Sequence, residues 1–586
     1  MRTKHLLIAS AAVLLALPAL AQQAAPTQPT PAAPTPVAQG NTVAPSGATA
    51  APSESSADES AVEEVSGSGS GLNLQPPPPP VEYPAWARRD PWTVGPLSPR
   101  DANLGEDAWG TVNGEFLSTL MRRMHTPLAS RWAHIALRNA LLARLHAPAA
   151  VNPIDWAAER AWLLLRLGEA DGARLLVADV DTDRFTPKMV QVAVQTALAN
   201  SDPAALCPLE DGIHQYDQAI ERMVQAMCSS LAGEPDSASA MIDQARRFGR
   251  IGGVDLALAE KVVGAGANGR ATTIEWDPVD TLTAWRFGLA TGTGMVPPDR
   301  LTNEAPTQLR AFEARAPLLS PQQRLSSAQI AAGLGVFSSQ TMIDLYSAIY
   351  DSTDPGDLAD TDSWQLRQAF VGKDEDTKLA AIRKLLASGK DSLTKEASRA
   401  AAARAATLIT PDAKLAKDAP ELISAMLAGG YDQAAARWIP VVSRMDNEDG
   451  DRCWAMLALA APNIADVGTS RITSFIKRDT SRDQVRSALL VAGLAGLGRI
   501  SVDTANSLNR RYGLALGHTS SWTQIIDAAA ARQQGGTVLV LTGTGFQTPS
   551  FDRVPSAHLY HAVAALNRTG QGFMARMIAA EALSRT

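Results

Sequence analysis

Cys207 and Cys228 flank a helical segment that begins near His214, and a disulfide between them would staple that helix to the connection before it. Closing a loop of that size adds on the order of 3 kcal/mol in the chain-entropy picture. The third cysteine, Cys453, sits beside Trp454 in an apolar helical stretch and reads as a buried, inert thiol. No CxxC string and no Cys/His spacing suited to zinc occurs, so none of the three reads as a metal ligand.

The other residues able to do chemistry are scattered. Of the eight histidines, only His558 and His561 fall at i and i+3, on one helical face. A metal there would need a third ligand, and the nearest acid, Asp552, lies across Pro555, which favours an ordinary helix surface. Gly543-Thr544-Gly545 follows the apolar run Val538 to Leu541 as the start of a dinucleotide turn would. Thr548 stands where the third glycine belongs and Pro549 follows, so the stretch reads as a helix end and turn. There is no Gly-x4-Gly-Lys-Ser/Thr string, no HExxH and no nucleophile-elbow serine after a strand. Glu63-Glu64 lies in a linker, and Asp374-Glu375-Asp376 reads as a solvated turn. The C-terminal stretch holds a single glutamate, Glu581, near the end of the final helix, a position hard to reconcile with a buried catalytic acid. The expectation is a chain with no catalytic residue, no cofactor and no metal.

What would position any site is a body that reads as helical almost throughout. The 586 residues exceed what one core organises, hydrophobic residues make up 45%, and only 5% are aromatic, which favours closely packed helices over sheets. Trp156, Glu159, Trp162, Leu163 and Arg166 recur at i, i+3, i+4 spacing, with Leu164, Leu167, Leu175 and Leu176 continuing the stripe. The one strand-like piece is Thr537 to Leu541, short and isolated. Glycines Gly264, Gly266, Gly269, Gly288, Gly292 and Gly294 read as close helix crossings rather than a phosphate loop. The formal net charge of −7, with basic residues only in short pairs such as Arg246-Arg247, argues against nucleic acid as a partner.

Residues 1–21 carry a basic start (Arg2, Lys4), an apolar stretch from Leu6 to Leu17 and the ending Ala19-Leu20-Ala21, which together read as a secretory signal cleaved after Ala21. No later segment is long and apolar enough to span a membrane, so the expected location is periplasmic or secreted. Residues 22–84 are Pro-, Ala- and Ser-rich with no Lys or Arg, a composition that cannot bury enough apolar surface to fold. Past that linker, Trp86, Trp92 and Trp109 punctuate a proline-broken stretch that reads as an extended arm laid on the body. A composition shift near Pro317–Pro321 suggests two helical-repeat regions, 85–316 and 317–586.

A turn recurs along the body. Gly168, Gly233, Gly430 and Gly570 are each followed by a small residue (Ala173, Ala238, Ala435, Ala575), and Gly498 by Ala505 in a looser copy. Each reads as a helix ending in left-handed glycine geometry, a tight turn and a second helix. The stretches Leu163 to Gly168, Met426 to Tyr431 and Gly570 to Ala582 resemble degenerate tetratricopeptide-type repeats. That resemblance implies an all-α superhelix, an α-solenoid of stacked helical hairpins whose concave face binds a protein or peptide partner. The functional expectation is an exported, non-catalytic scaffold for protein–protein interaction in the bacterial envelope. Trp156, Trp162, Trp438 and Trp454 are its candidate anchors, with core burial as their alternative role. The alternatives are an envelope glycan-cleaving enzyme of the superhelical lytic transglycosylase kind and a purely structural envelope spacer.

Overall fold

The computed structural model describes residues 84–586, apart from 217, 249–251, 267–271 and 465–466. The leader with Ala21, almost all of the linker, and Gly269 therefore lie outside the described residues. Residues 82–586 form one compact unit. It is all-α: helix follows helix from Gly114–Arg123 to Gly572–Ser584, and no strand occurs among the described residues.

Local chemistry explains where the helices start. Asn152, ahead of Pro153, accepts from the N–H groups of Ile154 (2.9 Å) and Asp155 (3.2 Å), satisfying two donors that the first turn leaves open. Ser320, Asp391 and Ser520 complete reciprocal capping boxes. Asp374 of the acidic triplet is also a cap, accepting from Thr377 N–H at 2.8 Å. These two bonds from Thr377, through its hydroxyl and its backbone, hold the Asp374 carboxyl below its usual range.

The five recurring turns share one geometry. Gly168, Gly233, Gly430, Gly498 and Gly570 have φ of 88°, 90°, 82°, 69° and 82°. In each, the N–H of the following residue returns to a carbonyl five residues back, as from Glu169 to Leu164 and from Gln571 to Leu566. Left-handed backbone at this position closes the helix end with two hydrogen bonds, and only glycine adopts it without a Cβ clash. Ala173, Ala238, Ala435 and Ala575 are fully buried behind the turns. Two further turns make the same bonds without glycine, at Ser201 (φ 56°) and Gln533 (φ 59°). The glycine pattern in the sequence is blind to these.

Helical hairpins pack successively, Pro153–Arg166 with Ala170–Ala178, Gln218–Leu231 with Pro235–Phe248, and Ser392–Ala406 with Ala419–Ala428. The stack is not a line with free ends. Helix Arg131–Leu142 packs on Gly535–Gly545 and on Gly572–Ser584, so the first and last hairpins meet. The arm seals this junction. Ala108 carbonyl accepts from Gly536 N–H (3.0 Å) and Thr537 N–H (3.4 Å), backbone donors that the start of helix Gly535–Gly545 leaves open, and Trp109 carbonyl accepts from the Thr537 hydroxyl (2.9 Å). A side chain at Gly536 would strike the Trp109 ring, which also packs edge-on against Trp156 at 5.3 Å.

The strand-like piece Thr537 to Leu541 lies inside that helix and is buried on every side. Its apolar run reflects burial between neighbours rather than sheet pairing, which periodicity over so short a stretch does not separate. The main hydrophobic core draws on residues from Val94 to Leu583 and runs across Pro317–Pro321. A smaller core lies between Val190 and Ala290. Cys207 and Cys228, 21 residues apart, are disulfide-bonded at its edge. In the same region Gly288 lies so close to the Leu198 backbone that a Cβ would not fit, a tight helix crossing.

Candidate functional site

Helix Ser392–Ala406 is the element around which the candidate site is built. Its C-terminal half is lined with alanines that are almost fully buried (Ala400, Ala401, Ala402, Ala403, Ala405, Ala406), letting neighbours approach from several sides. Its N-terminal half carries the exposed Lys395, with the buried Glu396 and the largely buried Arg399 beside it, between those neighbours.

Two clefts meet along that half. One, of about 820 Å³, is walled by helices Glu448–Ala460, Thr469–Arg478 and Gly572–Ser584, with Arg478, Arg486, Arg585 and Glu448 at its sides. The second, of about 560 Å³, is walled by Glu375–Ala387 and Ala419–Ala428, and carries Arg383, Lys417, Asp418 and the apolar Leu386. Lys395, Arg399 and Arg452 line both, so the clefts form a two-lobed groove.

Most of the charge in the groove is tied up internally. Arg399 bonds Glu396 at 2.6 Å and Glu421 at 3.2 Å, and Arg452 bonds Glu421 at 2.9 Å. Asp451, buried at 5% exposure, takes both Arg471 (2.9 Å) and Arg478 (2.6 Å). Arg383 holds Asp418 through two bonds of 2.6 and 2.7 Å. Burial acts to raise the Glu421 carboxyl, but Arg399 and Arg452 outweigh it and hold the group below its usual range. A glutamate so held is ionised at neutral pH and suited to positioning rather than to donating a proton. Lys395, Lys417 and Lys477 stand exposed in the groove with no carboxylate partner among the described residues.

The sequence candidates fall elsewhere. Trp156 and Trp438 are core residues, at 1% and 0% exposure. Trp162 and Trp454 are half-buried. Trp454 packs on Phe475 (6.0 Å) beneath the Arg471 guanidinium (5.3 Å), and lines a small apolar pocket of about 280 Å³ with Ile439 and Val442. His558 lies on the Trp522 ring at 4.3 Å, and burial lowers its basicity, while His561 faces Asp527 at 2.9 Å. Gly543 and Gly545 lie inside a helix, against Leu137 and Met124 and against Trp522. Cys453 is free and fully buried, and burial pushes its thiol up to about 12. Among the described residues the one cluster with metal-ligand geometry is Cys207, Glu210 and Cys228, whose two sulfurs are consumed by the disulfide.

Glu581 requires a correction. Its place near the end of the last helix suggested an exposed group, yet it is buried at 6% exposure. It accepts from Ser130 Oγ (2.5 Å), Arg131 N–H (2.8 Å), Trp132 N–H (3.2 Å) and the Arg585 guanidinium (2.8 Å). Glu581 thus caps helix Arg131–Leu142 from the last helix, with its carboxylate at the positive end of Arg131–Leu142. Arg131 next to it is also buried and donates to the carbonyls of Ala332 (2.8 Å), Ala428 (2.8 Å) and Phe337 (3.1 Å). Burial lowers the basicity of Arg131, against the opposing pull of Glu581 and Glu396.

The fold and groove together define a class: a superhelix of stacked helical hairpins, its ends packed together, with a two-lobed charged groove on one side. No protein-family model matches the chain, and neither the curated proteins nor the solved structures compared with it give a match.

Proposed function

We propose that this chain is an exported, non-catalytic helical-repeat scaffold that holds a segment of a partner protein in the two-lobed groove. The observation that carries the reading is the groove's chemistry. Its buried and half-buried charges are locked in pairs that fix the walls, while three exposed lysines with no carboxylate partner among the described residues line it. Preorganised walls with a few unspent polar groups suit recognition of an extended ligand.

Export is part of the same proposal. The leader ending at Ala21 supports passage through a secretory route, and a disulfide between Cys207 and Cys228 fits an oxidising compartment such as the periplasm. Among the described residues no helix is long and apolar enough to cross a membrane.

The test is photo-crosslinking in the producing cell, with the crosslinking residue placed at Ser392 or Thr480 in the groove and, as control, at Leu175 on an exposed helix surface. A discrete adduct from the groove positions alone is expected. Adducts of equal yield from all positions, or none from the groove, would overturn the assignment of the site. Release of muropeptides from purified cell-wall sacculi would overturn the non-catalytic reading.

A further inference from the structure

We infer that the segment taken by the groove is an acidic stretch of polypeptide, its carboxylates pairing with Lys395, Lys417 and Lys477. This rests on the groove being the partner site.

Charge accounting within the groove points to the sign. Arg399 and Arg452 are matched by Glu396 and Glu421, and Arg471 and Arg478 by Asp446 and Asp451, so these guanidinium groups are neutralised one for one. Over the whole lining of the two lobes, nine Lys and Arg side chains stand against seven Asp and Glu, an excess that the three lysines supply. Lys395 sits where the lobes join, Lys417 in one lobe and Lys477 in the other. An occupant crossing both lobes passes all three. The chain's net charge is −7, so a positive groove is a local departure from the surface around it and steers an anionic segment towards it.

The nature of the occupant follows from what else lines the groove. Glu448 projects into the first lobe, its side chain 81% exposed, with Arg486 only at 3.8 Å. A uniformly anionic polymer would be repelled there. A peptide places charge residue by residue, so it can set a carboxylate against each lysine and a neutral or basic residue against Glu448. Leu386 adds an accessible apolar contact in the second lobe, which a peptide side chain fills and a phosphate polymer does not.

The experiment uses fluorescence anisotropy with the full chain and three probes: a labelled peptide of glutamates around one leucine, the same peptide with lysine for glutamate, and labelled polyphosphate. The acidic peptide is expected to bind at least tenfold more tightly than the basic one and than polyphosphate, with affinity falling as salt rises. Each of Lys395→Gln, Lys417→Gln and Lys477→Gln is expected to weaken it roughly two- to threefold, the triple variant about tenfold, at an unchanged melting temperature. Equal affinity for the two peptides, tighter binding of polyphosphate, or triple-variant affinity equal to the parent would overturn the inference. Preference for the basic peptide, lost in Glu448→Gln, would overturn the acidic partner while leaving the groove as the site. Binding of the acidic peptide unaffected by any lysine substitution, with no groove crosslinks in the cell, would overturn both.

Discussion

Replacing Arg131 with methionine tests how helix Arg131–Leu142 is tied to the middle of the superhelix. Arg131 is 4% exposed, and its guanidinium makes three bonds, to Ala332, Phe337 and Ala428, at the C-terminal ends of two different helices. Methionine retains much of the side-chain volume, so the loss is mainly electrostatic. Each bond from a charged donor is worth about 1.5–3 kcal/mol, and the guanidinium's own desolvation cost is recovered on its removal. What remains is a set of buried carbonyls without their donor and a Glu581–Arg585 pair without a neighbouring cation, a net loss of about 4 kcal/mol, within the range for removing one partner of a buried polar network. Unfolding about 500 residues carries an entropy near 1 kcal/mol per degree, so the melting temperature is expected to fall by about 4 °C in calorimetry. Arg131→Lys keeps the charge but not the planar fork, and is expected to recover less than half of the loss. Hydrogen exchange should quicken together at the ends of helices Pro321–Leu334 and Ala419–Ala428. A change of less than about 1 °C for Arg131→Met would mean that the three bonds are worth no more than the solvation they replace, and that Arg131 does not hold these helices together.

Glu169 supplies a pH test. Burial acts to raise its carboxyl, but Arg138, His134 and Arg315 outweigh it and lower the value from 4.5. A lowered folded value means stability that is fully present above the ordinary carboxyl range and is lost as pH falls through the lowered value. Glu169→Gln is therefore expected to be less stable at neutral pH and to show a flatter decline below about pH 4.5, read by denaturant unfolding at a series of pH values. Cys207→Ser with Cys228→Ser removes the closure of a loop spanning 21 residues and is expected to lower stability by about 3 kcal/mol, measured the same way. Cys453, whose thiol burial pushes up to about 12, is expected to remain unmodified by a thiol reagent at pH 8 in the native protein and to react after unfolding. Gln533→Gly relieves a left-handed backbone in an exposed residue and is expected to raise stability by about 0.5–1 kcal/mol, whereas Gly570→Ala introduces that strain and should lower it by about 1 kcal/mol.

The helical class and its turns were legible because both are local. A glycine followed by a small residue between two apolar periodicities states a helix end whatever surrounds it, and Gly168, Gly233, Gly430, Gly498 and Gly570 all adopt the left-handed backbone. Gln533 and Ser201 escaped because their backbone is imposed by the helices on either side, without help from the residue type. The Cys207–Cys228 pairing was one of three ways to join two of three cysteines, and it was favoured because it would staple the helical segment beginning near His214 to the connection before it; the structure places Cys228 inside the second of two helices there, Gln218–Leu231.

The groove and the closure of the ends were not legible. Lys395, Glu421, Arg452 and Arg478 belong to four separate helices, and nothing in their spacing says that their side chains converge. The meeting of Ser130 and Arg131 with Glu581 joins residues about 450 positions apart. Helix periodicity specifies which face of each helix is buried but not which neighbour covers it, and in a stack of alanine-rich hairpins many neighbours offer similar apolar faces. The choice among them rests on pairs such as Trp109 over Gly536 and Arg131 against three carbonyls, whose partners exist only once the chain has folded.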